Sequence, residues 1–459
     1  MSKQIIIIGG GISGLALLHN LKKKFVGRSD VQVHLLEQNT YAGGTIRTKY
    51  QNKCYFEYGP EGFLNNKESA LKLAQDLGLE DELVGANPTA KKRYISIKNE
   101  LHQVPMSPSE LLSFKPLSLL DKVRIPLEML IRKGKDPKET VYEFGVRRFG
   151  ENITNYFLDP IVKGIYGGDA KKLNLRLAFP KIYELEQEYG SLLKGLILTM
   201  LKNSKGKKKG EASGSPMGKL LSFRQGMGQL CEALVKQYED CIHLDEVVES
   251  VDRVGEGFSI VTQKMKYFAD ELFVCSPAHS ASAFLKTLDP VLSELLGKIQ
   301  YAPMAVVGLV YPKAALGHIP QGFGYLIPSS EKSEVQGVLF PGNVFPGRTA
   351  DDLFMFRVMI GGSSYPDIMK RTKDELVETA EYELKKRFAI NGRTVTEFLA
   401  LWPNAIPQYD QEYAYLKDGI VYEVSKFPNF HLVANYLGGV SINDCTSNAQ
   451  AAAEKSALA

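Results

Sequence analysis

The chain has 459 residues, a hydrophobic fraction of 44% and a formal net charge of +4, enough for two or three packed domains and too apolar for a disordered chain. So small a charge gives no reason to expect a nucleic-acid partner. Five scattered cysteines without a CxxC pair and seven histidines without an HxxH or HExxH pair read as reduced thiols in a cytoplasmic protein without a metal site, and no apolar run is long enough to cross a bilayer.

Gln4-Ile5-Ile6-Ile7-Ile8 predicts a short buried strand, Gly9-Gly10-Gly11-Ile12-Ser13-Gly14 a tight turn, and Leu15-Ala16-Leu17-Leu18 the start of a helix. A second apolar strand, Val31-Gln32-Val33-His34-Leu35-Leu36, ends in Glu37. Strand, glycine turn, helix, strand and acid is the order of a dinucleotide-binding unit. Gly9 allows the turn, Gly11 lets the backbone approach a pyrophosphate, and Gly14 lets the helix sit close on the strand. Glu37 is placed to accept the ribose hydroxyls. The helix start, at Ile12 and Ser13, offers unpaired N–H groups and a positive dipole end to phosphates. The glycines interrupt the apolar run and no small-residue cleavage site follows, which argues against a secretory signal.

Past the acid, Tyr41-Ala42-Gly43-Gly44-Thr45-Ile46-Arg47 carries a second glycine pair. A flavin needs such a pair, because its ribityl chain and ring extend beyond the pyrophosphate and side chains must stand clear; a plain hairpin turn is the alternative. Gly59-Pro60-Glu61-Gly62-Phe63 makes another tight loop, and residues 69–83 carry apolar side chains at helical spacing. From Ala90 the composition changes. Lys91-Lys92-Arg93 precedes two short strands, at 94–97 and 101–105. A basic, oily helical stretch follows, with Leu111, Leu112, Leu119, Leu120, Val123 and Leu127 among Lys115, Lys122, Arg124, Arg132 and Lys133. It suits a peripheral contact with anionic membrane, and equally a helical subdomain with a solvated basic face. Gly164-Ile165-Tyr166-Gly167-Gly168-Asp169 breaks the helical block and suggests close backbone approach to another group. Residues 202–216, rich in Lys, Gly and Ser, read as a mobile solvated linker.

Beyond it, Ser222-Phe223-Arg224-Gln225-Gly226-Met227-Gly228 opens a helix, and strands follow at 242–252, 258–261 and 272–278. Four β-rich runs, at 304–311, 322–327, 335–340 and 353–360, predict an antiparallel sheet, with a charged helix over 368–388. The tail holds Trp402, a strand over 430–435, and Tyr436-Leu437-Gly438-Gly439-Val440-Ser441 turning into a last small-residue helix. The N-terminus of that helix can face the flavin's pyrimidine edge, where reduction builds negative charge. The fold class predicted is α/β. A Rossmann-type FAD-binding domain is assembled from residues 1–88, 216–298 and 401–459, with a helical insertion over 89–215 and an antiparallel substrate sheet over 299–400.

Three longer motifs go further: Gly164 to Asp169 with Leu173 after it, Gly322-Phe323-Gly324-Tyr325-Leu326-Ile327-Pro328-Ser329-Ser330-Glu331, and Asn435-Tyr436-Leu437-Gly438-Gly439-Val440-Ser441-Ile442. With the N-terminal unit they make the chain resemble, nearly end to end, the oxygen-dependent, FAD-containing protoporphyrinogen and coproporphyrinogen oxidases within the amine-oxidase-like flavoproteins. The resemblance implies that Gly9, Gly11, Ile12, Ser13, Gly14, Glu37, Gly43, Gly44, Thr45, Gly59 and Pro60 hold the FAD. It implies Val248 at the adenine, and Trp402, Gly439, Val440, Ser441 and Ile442 by the ring. It further implies that Arg93 grips a substrate propionate through two parallel bonds. The loop at 164–168, with Gly164 and Gly167, would meet the pyrrole N–H groups through a carbonyl. Phe323, Gly324, Leu326 and Met359 would sandwich the macrocycle. Without the resemblance Arg93 reads as a surface arginine beside Lys91 and Lys92.

The implied reaction is oxidation of protoporphyrinogen IX to protoporphyrin IX in haem biosynthesis. FAD takes a hydride from a methine-bridge carbon and a ring nitrogen loses a proton, in three rounds and six electrons, with O2 as acceptor and H2O2 released. No side chain is nominated as catalytic acid or base, and no metal is expected. Coproporphyrinogen III is the alternative substrate; the mostly apolar central sheet, with Arg93 as the cation that stands out, favours protoporphyrinogen. An amine oxidase is the more distant alternative, and Cys445, which falls where amine oxidases carry a tyrosine, counts against it. Tyr41 stands where many relatives carry arginine, and Gln336 where some place leucine. A homodimer and a cytoplasmic protein lying peripherally on the cytoplasmic membrane complete the expectations.

Overall fold

The computed structural model describes residues 2–206 and 218–458. The expected linker lies outside the described residues from 207 on; its first part, 202–206, instead ends the helix Leu192–Gly206.

Strand Lys3–Ile8 is the centre of a five-stranded parallel sheet. It pairs with Val31–Leu36 on one side and Glu271–Val274 on the other, and Ile242–His243 and Phe430–Leu432 form the edges. Ile5 to Ile8 are buried, as a strand covered on both faces requires. Helices Ile12–Lys24 and Ile442–Glu454 pack side by side over one face. Ala449 and Ala453 of the last helix share a core with Leu15 and Leu18 of the first. Chain segments far apart in sequence therefore close one nucleotide-binding layer.

The second sheet has seven strands, in the order Thr396–Pro407, Tyr301–Pro312, Leu353–Gly361, Val335–Leu339, Gly324–Leu326, Tyr94–Ile97 and Glu100–Gln103. Its neighbours are antiparallel with one exception: Gly324–Leu326 runs parallel to Tyr94–Ile97. The all-antiparallel expectation is corrected there. The hairpin at 94–103 turns through Lys98 and Asn99, both at positive φ, and its strand with buried Ile95, Ser96 and Ile97 extends the sheet beyond Gly324–Leu326. One face of this sheet packs on helix Lys373–Lys385, through Phe356, Val358, Ile360, Leu376 and Leu384. The other face, with Met304, Val306, Met355, Met359 and Trp402, meets Phe56 and Tyr58.

The helix expected over 69–83 ends at Asp76, because Gly78 takes φ +67 and turns the chain. A 3-10 turn at Glu80–Glu82 and a strand at Leu83–Gly85 replace its second half.

The helical insertion is started by capping boxes at Ser118/Asp121 and Thr140/Glu143. Its centre is ionic. Arg148 is fully buried, with Nε on Glu186 Oε1 at 2.6 Å and Nη1 on Glu128 Oε1 at 2.9 Å. It also donates to the carbonyls of Ile131 and Gly190. On the outside, Leu112, Leu119, Leu120, Val123, Leu127 and Leu130 are exposed, as are Leu196, Ile197 and Leu201. No described helix is long and apolar enough to cross a membrane.

Candidate active site

The glycine loop is shaped by contact. A Cβ on Gly14 would stand 1.9 Å from the carbonyl oxygen of Gly9, so the helix touches the strand there. Gly9 itself sits at φ +109, with Ser276 N 2.8 Å from where its Cβ would be. Gly11 differs: its Cβ would meet nothing within 4 Å. It is the N-cap of helix Ile12–Lys24, which has no side-chain cap and no acid in its first turn. Open space over uncapped N–H groups suits a phosphate. Glu37 ends the next strand, buried, its Oε2 accepting from Gly10 N at 2.6 Å and its Oε1 from Asn39 N at 2.9 Å. The backbone thus fixes this carboxylate in place. Glu246 N donates to Glu37 O at 2.8 Å, which brings the chain leading into Val248 alongside.

The second glycine pair continues the same surface. Gly43 N donates to Gly10 O at 2.7 Å, and Gly44 would place a Cβ 3.3 Å from Gly11 Cα. A Cβ on Gly59 would come within 2.4 Å of Thr45 O, so the Gly59-Pro60 loop lies directly on that pair. The seven-stranded sheet then grips this loop. Trp402 Nε1 donates to Tyr58 O at 2.8 Å; Arg357 donates to Glu61 Oε1 at 2.6 Å and also to Gly59 O. An unbroken line of contacts runs from Gly9 to Trp402. Arg47 is stacked on Tyr41, 3.7 Å from its ring centre, and on Tyr58 at 4.5 Å. Tyr41, the departure noted in the sequence, thus holds a cation in place of being one.

At the far end of the chain Gly439 takes φ +111 and Ser441 caps helix Ile442–Glu454 in a capping box with Asp444. Burial alone would raise the Asp444 carboxyl, but Lys67 and Ser441 hold it below the ordinary aspartate value. An acid therefore sits in the first turn expected to face the flavin. Val440 packs at the rim of one core and Ile442 is buried in another.

Of the expected substrate residues, Gly164 meets Leu326 where the insertion touches the second sheet, whereas Arg93 pairs with Phe323 at the edge of another cluster. Residues 164–166 are not a loop: they are the last turn of helix Asp159–Tyr166, and the loop begins at Gly167, a left-handed C-cap. The apolar spacing of Val162 and Tyr166 carries the helix that far, and Tyr166 OH anchors it on Ala178 O at 2.6 Å. A Cβ on Gly164 would be 3.1 Å from Leu326 Cδ2, and one on Gly167 2.9 Å from Met304 Cε. The Gly167 carbonyl accepts from Ser363 N and that of Tyr166 from Gln408 Nε2. Gly167 N donates to Lys163 O, and the Gly164 carbonyl receives no hydrogen bond among the described residues.

Gly324 has a purely structural reason: at φ +138 its Cβ would stand 2.1 Å from Val338 O across the strand pair. Gln336 is buried with its amide on Gly361 O. Met359 packs against the same apolar cluster as Trp402. Arg93 is solvent-accessible and lies 5.1 Å from the Phe323 ring centre, with no carboxylate partner among the described residues. Crowding by protein still lowers its pKa through desolvation.

Sequence reasoning missed Arg357 with Glu61, and the buried Lys163, which donates to Ile327 O at 2.9 Å. Beside it Asp159 accepts from Ser329 N at 2.7 Å, so the two tie this helix to the sheet. An arginine inside the apolar run Leu353-Phe354-Met355-Phe356-Arg357-Val358-Met359 was the available signal. Two surface cavities lie apart from this line of contacts: about 330 Å³ beside His102 and Phe114, and about 100 Å³ beside His19 and Asp76. Among the described residues no cluster of three or more His, Cys, Asp or Glu could hold a metal.

The family model for flavin-containing amine oxidoreductases matches residues 12–455. The chain belongs to this family. It is an FAD-dependent oxidoreductase, and the open cradle at Gly11 and the glycine line that follows fit that cofactor. The chain is 29% identical to chloroplastic protoporphyrinogen oxidase 1 of Spinacia oleracea, over 98% of this chain and 83% of that protein. It is 26% identical to the coproporphyrinogen III oxidase of Bacillus subtilis, over 98% and 97%. A provisionally named protoporphyrinogen oxidase from Exiguobacterium sp. 255-15 superposes with a TM-score of 0.82 at 20% identity, over 99% of this chain and 98% of that one. A reduced UDP-galactopyranose mutase superposes at 0.73 and 14% identity, over 99% and 93%. At these identities the solved structures bear on the fold, and they agree with the expected α/β class.

Proposed function

We propose that the protein oxidises a porphyrinogen to a porphyrin with O2 as acceptor, and acts on protoporphyrinogen IX in preference to coproporphyrinogen III. The observation that carries this is the apolar contact between the insertion and the second sheet, next to the cofactor line. The helix end meets the sheet directly there: Gly164 lies on Leu326 and Gly167 on Met304, with Met359 in the same apolar cluster as Met304. The names of the relatives point to the same substrate class. A flat macrocycle with an apolar body needs apolar surfaces of this kind and few charges.

Bound FAD supplies the two-electron oxidation. Gly9, Gly11, Ile12, Ser13 and Gly14 would hold its pyrophosphate, Glu37 its ribose, and Gly43, Gly44, Thr45, Gly59, Pro60 and Trp402 its ring end. Arg93, braced on Phe323 and unpaired, binds a propionate. The Gly164 carbonyl, at the negative end of its helix, accepts from a pyrrole N–H and favours its partial positive charge. Leu326 and Met359 exclude water from the reacting carbon. One free arginine in the cleft matches two carboxylates better than four. The test is turnover of both porphyrinogens in air by the purified yellow protein, followed by porphyrin fluorescence, with putrescine as control. Faster turnover of coproporphyrinogen overturns the substrate choice. No porphyrin from either, with peroxide from the amine, overturns the reaction.

A further inference from the structure

Strand Leu353–Gly361 alternates between two environments. Phe356, Val358 and Ile360 enter the core under the covering helix, whereas Met355 and Met359 pack with Tyr58 and Trp402. The period of two puts Arg357 between those methionines, on the cofactor side of the sheet. It is 6% exposed. Its guanidinium donates to Glu61 Oε1 at 2.6 Å and to the Gly59 carbonyl. Two atoms of the pair, Arg357 Nε and Glu61 Oε2, are buried without a hydrogen-bond partner.

Tying the loop to the sheet does not require this charge, because Trp402 already bonds the Tyr58 carbonyl. A buried guanidinium is costly to desolvate, and half-satisfied ones more so. The other cations nearby are engaged elsewhere: Arg348 with Ser222 and Glu57, Arg47 between two tyrosine rings, and Lys67 on Asp444. Asp444 also offsets the positive end of the last helix. Arg348 is buried too, but Arg357 is the buried cation that bonds the Gly59-Pro60 loop itself.

We propose that Arg357, oriented by Glu61, sets the reduction potential of the bound flavin. Reduction by two electrons and one proton leaves the flavin with one net negative charge. A fixed guanidinium at the ring end favours that form, and the Glu61 carboxylate moderates it. The inference rests on Gly59, Pro60 and Trp402 marking the ring end, and does not depend on which substrate is oxidised.

Holoproteins carrying Arg357→Met, Arg357→Lys and Glu61→Gln test it, through midpoint potentials measured anaerobically by dye equilibration. Arg357→Met moves the midpoint to a more negative value, Glu61→Gln to a more positive one, and Arg357→Lys restores it most of the way to wild type. Arg357→Met and Glu61→Gln break the same ion pair, so a merely structural tie gives shifts of one sign. Shifts of one sign, or none, overturn the proposal. Should Arg357→Met fail to retain FAD, Glu61→Gln decides alone, and a midpoint at or below wild type overturns it. Porphyrinogen turnover with unmoved potentials sinks this inference only; displaced potentials without porphyrinogen turnover sink only the substrate reading.

Discussion

Gly11 and Gly14 share one loop and answer to different constraints. Gly14 has no room: a methyl there meets a carbonyl oxygen at 1.9 Å, and backbone cannot step aside. Gly14→Ala yields protein that melts earlier and carries no flavin colour. Gly11 has room and an ordinary negative φ of −71. Gly11→Ala keeps the apoprotein's stability within about 1 kcal/mol, while its affinity for FAD falls by about tenfold or more, because the methyl enters the phosphate's space. Equal FAD binding by wild type and Gly11→Ala would place the pyrophosphate elsewhere. Glu57 sets a pH dependence. Burial first, and the neighbouring Glu61 second, push its carboxyl from 4.5 up to about 7. The folded protein then holds a proton that the unfolded chain releases near pH 4.5. That stabilisation is fully present below the unfolded pKa, shrinks as pH rises, and is gone above about 7. The unfolding free energy of apoprotein, from urea transitions across that range, should fall for wild type relative to Glu57→Gln by on the order of 3 kcal/mol in all; parallel curves would contradict this. Glycines of this kind are legible in sequence because they answer to local backbone geometry. Arg357 was not, since its meaning depends on Glu61, 296 residues away along the chain.

Arg148 shows how one side chain can organise several helices. It joins the segment at Glu128, the helix Val141–Phe149 and the helix Pro180–Tyr189 through bonds to Glu128, Glu186 and two carbonyls. Arg148→Met leaves Glu128 buried without its cation and Glu186 with Arg147 alone, and should cost roughly 3–5 kcal/mol, read as an earlier urea transition and faster proteolysis within the insertion. Helical spacing revealed the insertion's helices but not this ionic centre, because an arginine at a helical position looks the same whether it faces water or two glutamates. The hairpin at 94–103 teaches a related lesson. Both strands were legible from alternation, but their place on the edge of a distant sheet was not, since strand pairing is a long-range choice. The helix end at Gly164 was misread as a loop because glycine marks both C-caps and loops.

For the whole molecule, the insertion presents a surface that a soluble enzyme normally hides. Leu119, Leu120 and Leu130 are 73%, 83% and 80% exposed, with Lys115, Lys122 and Lys133 nearby in sequence. Apolar side chains fringed by cations suit the interface of an anionic bilayer. The protein should co-sediment with anionic vesicles at low salt, less so at high salt, and least with Leu119→Asp and Leu120→Asp combined; no co-sedimentation at low salt would remove the idea. The two-layer plan was readable because its end motifs are local, whereas the partition of strands between sheets was not. The order of strands in the first sheet also bears on biosynthesis. Its middle strand, Lys3–Ile8, is made long before its partner Glu271–Val274 and before Phe430–Leu432 beyond that. A nascent chain therefore has Val31–Leu36 to pair with one edge of this isoleucine stretch but leaves the other edge open through most of translation, a hazard for premature association. Chaperone protection of that open edge, and flavin capture only after the last helix is free, follow from that arrangement.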